Sequence, residues 1–199
     1  MAITLSAVGK ADTAAAPWLD PQRFWTDLDA ATSGLGTPLA VLHLGALRFN
    51  THDLVRRAAG KPIRVASKSL RVRGLVDALL GTSGYAGVLA FTLPEALWLA
   101  ETVDDVVVGY PTADVDAIRR LASDPVAAAR VTLMVDSLEH LDFVDACVPP
   151  GRRENLRLCL ELDQRSEHWE SLLRSPGFVI GVSGILPSEP QVDCYSVSR

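Results

Sequence analysis

The chain has 199 residues, 48% of them hydrophobic and 22% charged, with a formal net charge of -5. That length can bury one sizeable core, and the composition is ordinary for a globular protein. Basic residues are scattered in short pairs such as Arg56-Arg57 and Arg152-Arg153; with the acidic balance this argues against a general nucleic-acid surface, and no apolar run reaches the ~18 residues of a membrane helix.

Residues 1–17 are Ala-rich but have no basic start followed by a long apolar block, so a flexible tail is expected there rather than a secretory signal. The three cysteines, Cys147, Cys159 and Cys194, form no C-x-x-C pair, which points to a reduced, cytoplasmic setting without a disulfide framework. A short helix is predicted over residues 21–32, with Phe24, Trp25 and Leu28 on one face. Ser33-Gly34-Leu35-Gly36-Thr37-Pro38 then breaks it.

From Leu39 a unit repeats. Short apolar runs occupy residues 39–44, 62–67, 87–91, 105–109, 130–135 and 155–162, and their starts lie 23, 25, 18, 25 and 25 residues apart. Each of the first five precedes a stretch of helical periodicity. Continuous β-branched runs of this length suit strands covered on both faces, as in a parallel sheet. Thr92-Leu93-Pro94-Glu95 reads as a capping box, with Pro94 early in the helix where its missing N–H costs little. Thr112 is expected to cap a helix over 113–121, and Ser137 one over 138–146.

Repeating βα units close into a barrel or open into a doubly wound sheet. No G-x-G-x-x-G follows the first run, which weakens the dinucleotide-binding version. The expected fold is α/β, an incomplete (β/α) TIM-type barrel of about six to seven parallel strands over residues 18–163. A full barrel needs about 250 residues. Residues 164–199 read as a divergent tail with one helix (166–174) and one strand (178–182), so the barrel looks shortened.

Lys68 is the candidate catalytic residue. It ends the strand Pro62-Ile63-Arg64-Val65-Ala66-Ser67 and leads straight into a helix, which in a barrel puts it at the mouth. Desolvation in a partly apolar mouth disfavours an ammonium, and a neutral amine condenses with an aldehyde. From spacing alone, a solvated lysine at a strand end is the plain alternative. Other groupings carry less. His43, His52, His140 and His168 lack paired ligand spacing, so no metal site is expected. Asp136, Ser137 and His140 have the spacing of a helix cap rather than a triad. Gly181-Val182-Ser183-Gly184-Ile185 lacks the last glycine of a nucleophile elbow, and Gly81-Thr82-Ser83-Gly84 reads as a turn.

Ile63-Arg64-Val65-Ala66-Ser67-Lys68-Ser69 and the segment from Pro38 through Asn50 resemble the N-terminal barrel of alanine-racemase-like proteins that use pyridoxal phosphate (PLP). Phe91-Thr92-Leu93-Pro94-Glu95-Ala96-Leu97-Trp98-Leu99, Val108-Gly109-Tyr110-Pro111-Thr112-Ala113-Asp114, Val131-Thr132-Leu133-Met134-Val135-Asp136-Ser137 and Arg157-Leu158-Cys159-Leu160-Glu161-Leu162-Asp163 extend it. The similarity runs in order over about 145 residues, from about 18 to about 163, and is greatest to the amino-acid deaminase/aldolase branch related to D-threonine aldolase and D-serine dehydratase. The resemblance implies a barrel holding PLP, with Lys68 both cofactor-binding and catalytic as the Schiff-base lysine. The implied reaction is deamination or retro-aldol cleavage of a β-hydroxy amino acid, the cofactor acting as electron sink.

Two departures qualify it. His43 and Gly45 stand where the family usually has acidic residues in its first strand. After Asp163, Gln164-Arg165-Ser166 replaces the family's glycine and Arg-x-Gly element, leaving Gly181-Val182-Ser183-Gly184 as a stand-in phosphate turn or a plain strand exit. Activity of the shortened chain is therefore open. A non-catalytic PLP-homeostasis barrel and a non-functional fragment of the longer enzyme are the alternatives. The partner implied is a small-molecule amino acid, with no nucleic acid and no membrane, and unpaired strand edges leave a homo-oligomer open.

Overall fold

Five of the six apolar runs become strands, and the order in which they pair decides the architecture. The computed structural model describes residues 19–148, 152 and 155–160. Two compact units divide the chain: Met1–Ile63 with Arg73–Tyr85, and Arg64–Val72 with Ala86–Arg199.

In the first unit, Asp20 accepts the Arg23 N–H at 3.2 Å and starts α1 (Pro21–Thr32), with proline in the first turn. Phe24 and Leu28 are half-buried, but Trp25 is exposed, so the apolar face is narrower than the sequence implied. The expected first strand at 39–44 does not form. Leu39, Val41 and Leu42 are exposed, and α2 (Leu44–Ala58) begins where that run ends. His43 decides this locally: its Nδ1 accepts the Ala46 N–H at 3.0 Å, which caps the helix. After α4 (Arg73–Leu80), the turn at Gly81-Thr82-Ser83-Gly84 is as expected, and the Gly84 carbonyl accepts the Ile63 N–H at 2.9 Å.

Tyr85 follows that turn. Burial raises its hydroxyl above the ordinary tyrosine value, with a hydrogen bond to Thr51 pulling the other way. The folded state therefore holds this proton more tightly than the unfolded chain. The stability involved is whole below about pH 10 and is lost as pH rises through the raised folded value. Melting curves from about pH 9 to 11 should fall more steeply for the wild type than for Tyr85→Phe; parallel slopes would count against this assignment.

The second unit is built on the sheet. The strands are β1 (Ile63–Ala66), β2 (Tyr85–Ala90), β3 (Val106–Val108), β4 (Val131–Val135) and β5 (Arg157–Leu160), in spatial order β1-β2-β3-β4-β5; all but Ile63 and Tyr85 belong to the second unit. The pairs β2–β3, β3–β4 and β4–β5 are parallel. Between them lie α3 (Ser67–Leu70), α5 (Leu93–Leu99), α6 (Val115–Ser123), α7 (Pro125–Arg130) and α8 (Leu138–Cys147). Each strand sits beside its predecessor and the order never reverses. Right-handed crossovers that all advance one way put their helices on one face, and neighbouring α5–α6 and α6–α8 contacts agree. The unreversed order is compatible with part of a barrel, whereas a doubly wound sheet would show a switch point.

Register explains the core. Val88, Val106 and Val131 form one lateral row, and Ala90, Val108 and Leu133 the next, all essentially inaccessible to solvent. The opposite face carries Leu89 and Val107, half-buried, beside Thr132 and Met134. All five residues of β4 are buried, as a strand covered on both faces requires. Leu93, Leu99, Ile118, Leu121 and Val144 supply the helical side of the core.

The sheet is open and has five strands among the described residues, not six to seven. One expected strand is lost to the start of α2. The strand expected at 178–182, the helix at 166–174 and Gly181-Val182-Ser183-Gly184 lie outside the described residues. No described helix is long and apolar enough to cross a membrane.

Ion pairs gather where the strands begin. Arg64 meets Asp105 at 2.6 Å, Arg157 reaches the same carboxylate at 3.6 Å, and Arg130 pairs with Asp104 at 2.9 Å while donating to the Ala100 carbonyl at 2.7 Å. Gly87 lies beneath this cluster with φ +75°.

Candidate functional site at the C-terminal edge of the sheet

Parallel strands send all their C-terminal ends to one edge, where ligands of such folds bind. Four side chains from three strand ends meet there. β1 stops at Ala66, and Ser67 turns into α3 buried, its hydroxyl donating to the Leu89 carbonyl at 3.4 Å. This ties the start of α3 to β2 and sends Lys68 out from the edge. Lys68 is exposed, and its Nζ lies 2.6 Å from the Tyr110 hydroxyl and 5.0 Å from the centre of that ring.

Tyr110 follows Gly109, whose N–H continues the ladder to the Ala90 carbonyl at 2.8 Å. Its ring meets Phe91, the residue after β2, edge to face with centroids 5.6 Å apart and planes at 86°. Arg71 completes the group. It holds a left-handed backbone (φ 41°) at the end of α3, where its N–H caps the Ser67 carbonyl at 2.8 Å. Its Nε donates to the Lys68 carbonyl at 3.1 Å, and its guanidinium lies 5.7 Å from the centre of the Phe91 ring. A non-glycine residue in this region is strained by about 1–3 kcal/mol, a feature that clusters at functional sites.

The fourth strand end behaves as the sequence implied. Ser137 accepts the His140 N–H at 3.2 Å and caps α8, while its hydroxyl donates to Asp136 at 3.1 Å. His140 adds something not legible in its spacing: its Nε2 lies 2.9 Å from the Thr112 carbonyl. A carbonyl only accepts, so this nitrogen carries the proton. His140 thereby pins the loop that holds Tyr110. Thr112 does not cap α6, contrary to expectation; Asp114 does, accepting the Ala117 N–H at 3.0 Å, and Thr112 instead accepts the Asp114 N–H at 3.3 Å. The Thr92 cap of α5 forms, though Glu95 reaches the Phe91 N–H at 2.9 Å rather than that of Thr92.

No family model matches this chain, and no curated protein matches it.

Lys68 therefore stands at the strand end where the sequence put it, with three neighbours that sequence reasoning did not assign: Arg71, Phe91 and Tyr110. The available signal was positional. Phe91 and Tyr110, like Lys68, fall within two residues of the C-terminus of a parallel strand. His43, by contrast, is a helix cap whose ring lies 5.5 Å from that of Phe24.

The residues present fit the aldehyde end of PLP. A primary amine reachable from solvent stands beside a phenol and an aromatic edge, and Arg71, whose described contacts are a carbonyl and a ring, meets no carboxylate among the described residues. Such a guanidinium suits a phosphate ester. No group of three or more His, Cys, Asp or Glu side chains able to hold a metal occurs among the described residues.

Proposed function

We propose that Lys68 is the Schiff-base lysine of a PLP-binding half-barrel of the alanine-racemase-like kind, and that the reaction served is deamination or retro-aldol cleavage of a β-hydroxy amino acid. The observation that carries the reading is the 2.6 Å contact between the Lys68 amine and the Tyr110 hydroxyl at the C-terminal strand edge. Strands that advance without reversal support the barrel part of it. The resemblance through residues 63–69 supports the cofactor.

When bound, PLP supplies the electron sink for cleavage at an amino acid's α-carbon. The chain's own part is to present the amine, orient it through Tyr110, and offer the Arg71 guanidinium to the ester. A PLP titration followed by absorbance tests this. After unbound PLP is removed, a near-visible band should remain with the wild type and be missing with Lys68→Ala. A band that persists in Lys68→Ala sinks the assignment.

A second reading has one observation in its favour. Lys68 is exposed, with Phe91 and Tyr110 also open to water, whereas enzymes that turn over such intermediates exclude it. A barrel that holds PLP without turnover fits that exposure. Formation of the band with no release of ammonia or aldehyde from D- or L-β-hydroxy amino acids would favour it.

A further inference from the structure

We infer that Tyr110 is the proton carrier for the Lys68 amine, the group that gives and takes the protons needed when this lysine condenses with an aldehyde. The inference rests on the reading of Lys68 as the Schiff-base residue and names its acid–base partner, which the sequence left unassigned.

Three observations carry it. The first is reach: the Tyr110 hydroxyl is 2.6 Å from Nζ, and it is the one side-chain hydrogen-bond partner of that amine among the described residues. A phenol both donates and accepts. The second is fixation. On one side of Tyr110, Gly109 is bonded to Ala90 at 2.8 Å; on the other, the Thr112 carbonyl is held by His140 at 2.9 Å. The third is closure. Lys68 touches Tyr110, Tyr110 meets Phe91 edge-on, Phe91 lies under Arg71, and Arg71 returns to the Lys68 carbonyl. A hydroxyl fixed by a closed circuit is pre-organised, as a positioned acid or base must be.

The step balances without any oxidant or reductant. Once the Lys68 ammonium has lost a proton to solvent, the Nζ lone pair forms a bond to the aldehyde carbon, and the carbonyl π pair moves onto oxygen. Tyr110 gives its proton to that oxygen and takes one from the nitrogen. It then gives that proton on as the C–O bond breaks, so the oxygen leaves as water, and the last N–H proton returns to the phenol as C=N forms.

The test uses the full 199-residue chain and PLP itself. Borohydride, a hydride donor, fixes the adduct for peptide mapping. The readouts are the limiting rate of adduct formation at saturating PLP, its half-saturating concentration, and its pH profile. Tyr110→Phe should still be labelled at Lys68 with half-saturation within about twofold, while the limiting rate falls on the order of 100-fold and its pH profile changes shape. Tyr110→His, which keeps a transferable proton, should recover part of the rate. Because Tyr110 is half exposed, removing its hydroxyl should leave the fold intact, and near-UV circular dichroism checks this. A Tyr110→Phe rate equal to wild type at every pH overturns the inference and leaves Lys68 standing. So does a loss confined to half-saturation, which would make Tyr110 a spacer. Wild-type chain with no label on Lys68 overturns both.

Discussion

Lys68→Arg is expected to lose at least 100-fold in borohydride-fixed PLP labelling while melting within a degree or two of wild type. The substitution is chosen because arginine keeps the positive charge and most of the reach. Its guanidinium can still meet the Tyr110 hydroxyl, which lies 2.6 Å from Nζ in the native chain. What it loses is nucleophilicity: the group stays protonated and its electrons are delocalised, so it cannot condense with an aldehyde under these conditions. Lys68 is exposed, and surface changes of this kind usually move stability by less than about 0.5 kcal/mol. Labelling that survives in Lys68→Arg, mapped to another lysine, would show that the PLP site lies elsewhere. Labelling lost together with folding would show Lys68 to be a structural residue.

The second large effect belongs to the opposite edge. Gly87→Ala should cost roughly 2–5 kcal/mol, the sum of a left-handed backbone penalty of about 1–2 and an overpacking cost of about 1–3. At Gly87 φ is +75°, and an added Cβ would lie 2.7 Å from the Asp105 backbone carbonyl as well as against the Arg64 guanidinium. The carbonyl cannot retreat cheaply, since it accepts the Val88 N–H at 2.9 Å as part of the β2–β3 ladder. Arg64 is held to the Asp105 side chain at 2.6 Å. Against the roughly 5–15 kcal/mol of a typical domain, this is a large fraction. Gly74→Ala is the comparator: it lies inside α4, an added Cβ meets nothing within 4 Å, and φ is ordinary there. As the second residue of α4 it should stabilise by at most about 0.5–1 kcal/mol, the figure for a mid-helix glycine. Equal melting temperatures for the two variants would dispose of the close-approach argument.

What could be read from the residues, and what could not, follows the range of the interactions involved. Strands from Val106–Val108 and Val131–Val135 were legible because β-branched runs between turn residues have few other uses. The caps at Thr92 and Ser137 were legible because a cap is decided within four residues. The run at 39–44 misled because its apolar content matches that of a buried strand, and only the His43 cap at its end shows that a helix starts there. Asp114 and Thr112 compete two residues apart for the same role, a choice set by backbone angles. At the site, Lys68 could be picked out from its strand end. Tyr110 could not, because 42 residues of chain separate it from its partner and only the order of the sheet brings them together. His140 was read correctly as part of a cap, but its bond to Thr112 crosses 28 residues and left no trace in local spacing.

The unreversed strand order has a consequence for how the chain acquires its shape. Every strand from β2 onward docks against the one made just before it, so an emerging polypeptide always finds its neighbour already in place. Pairings of this kind need no late segment to insert between earlier ones, which suits stepwise growth during synthesis from the N-terminal side.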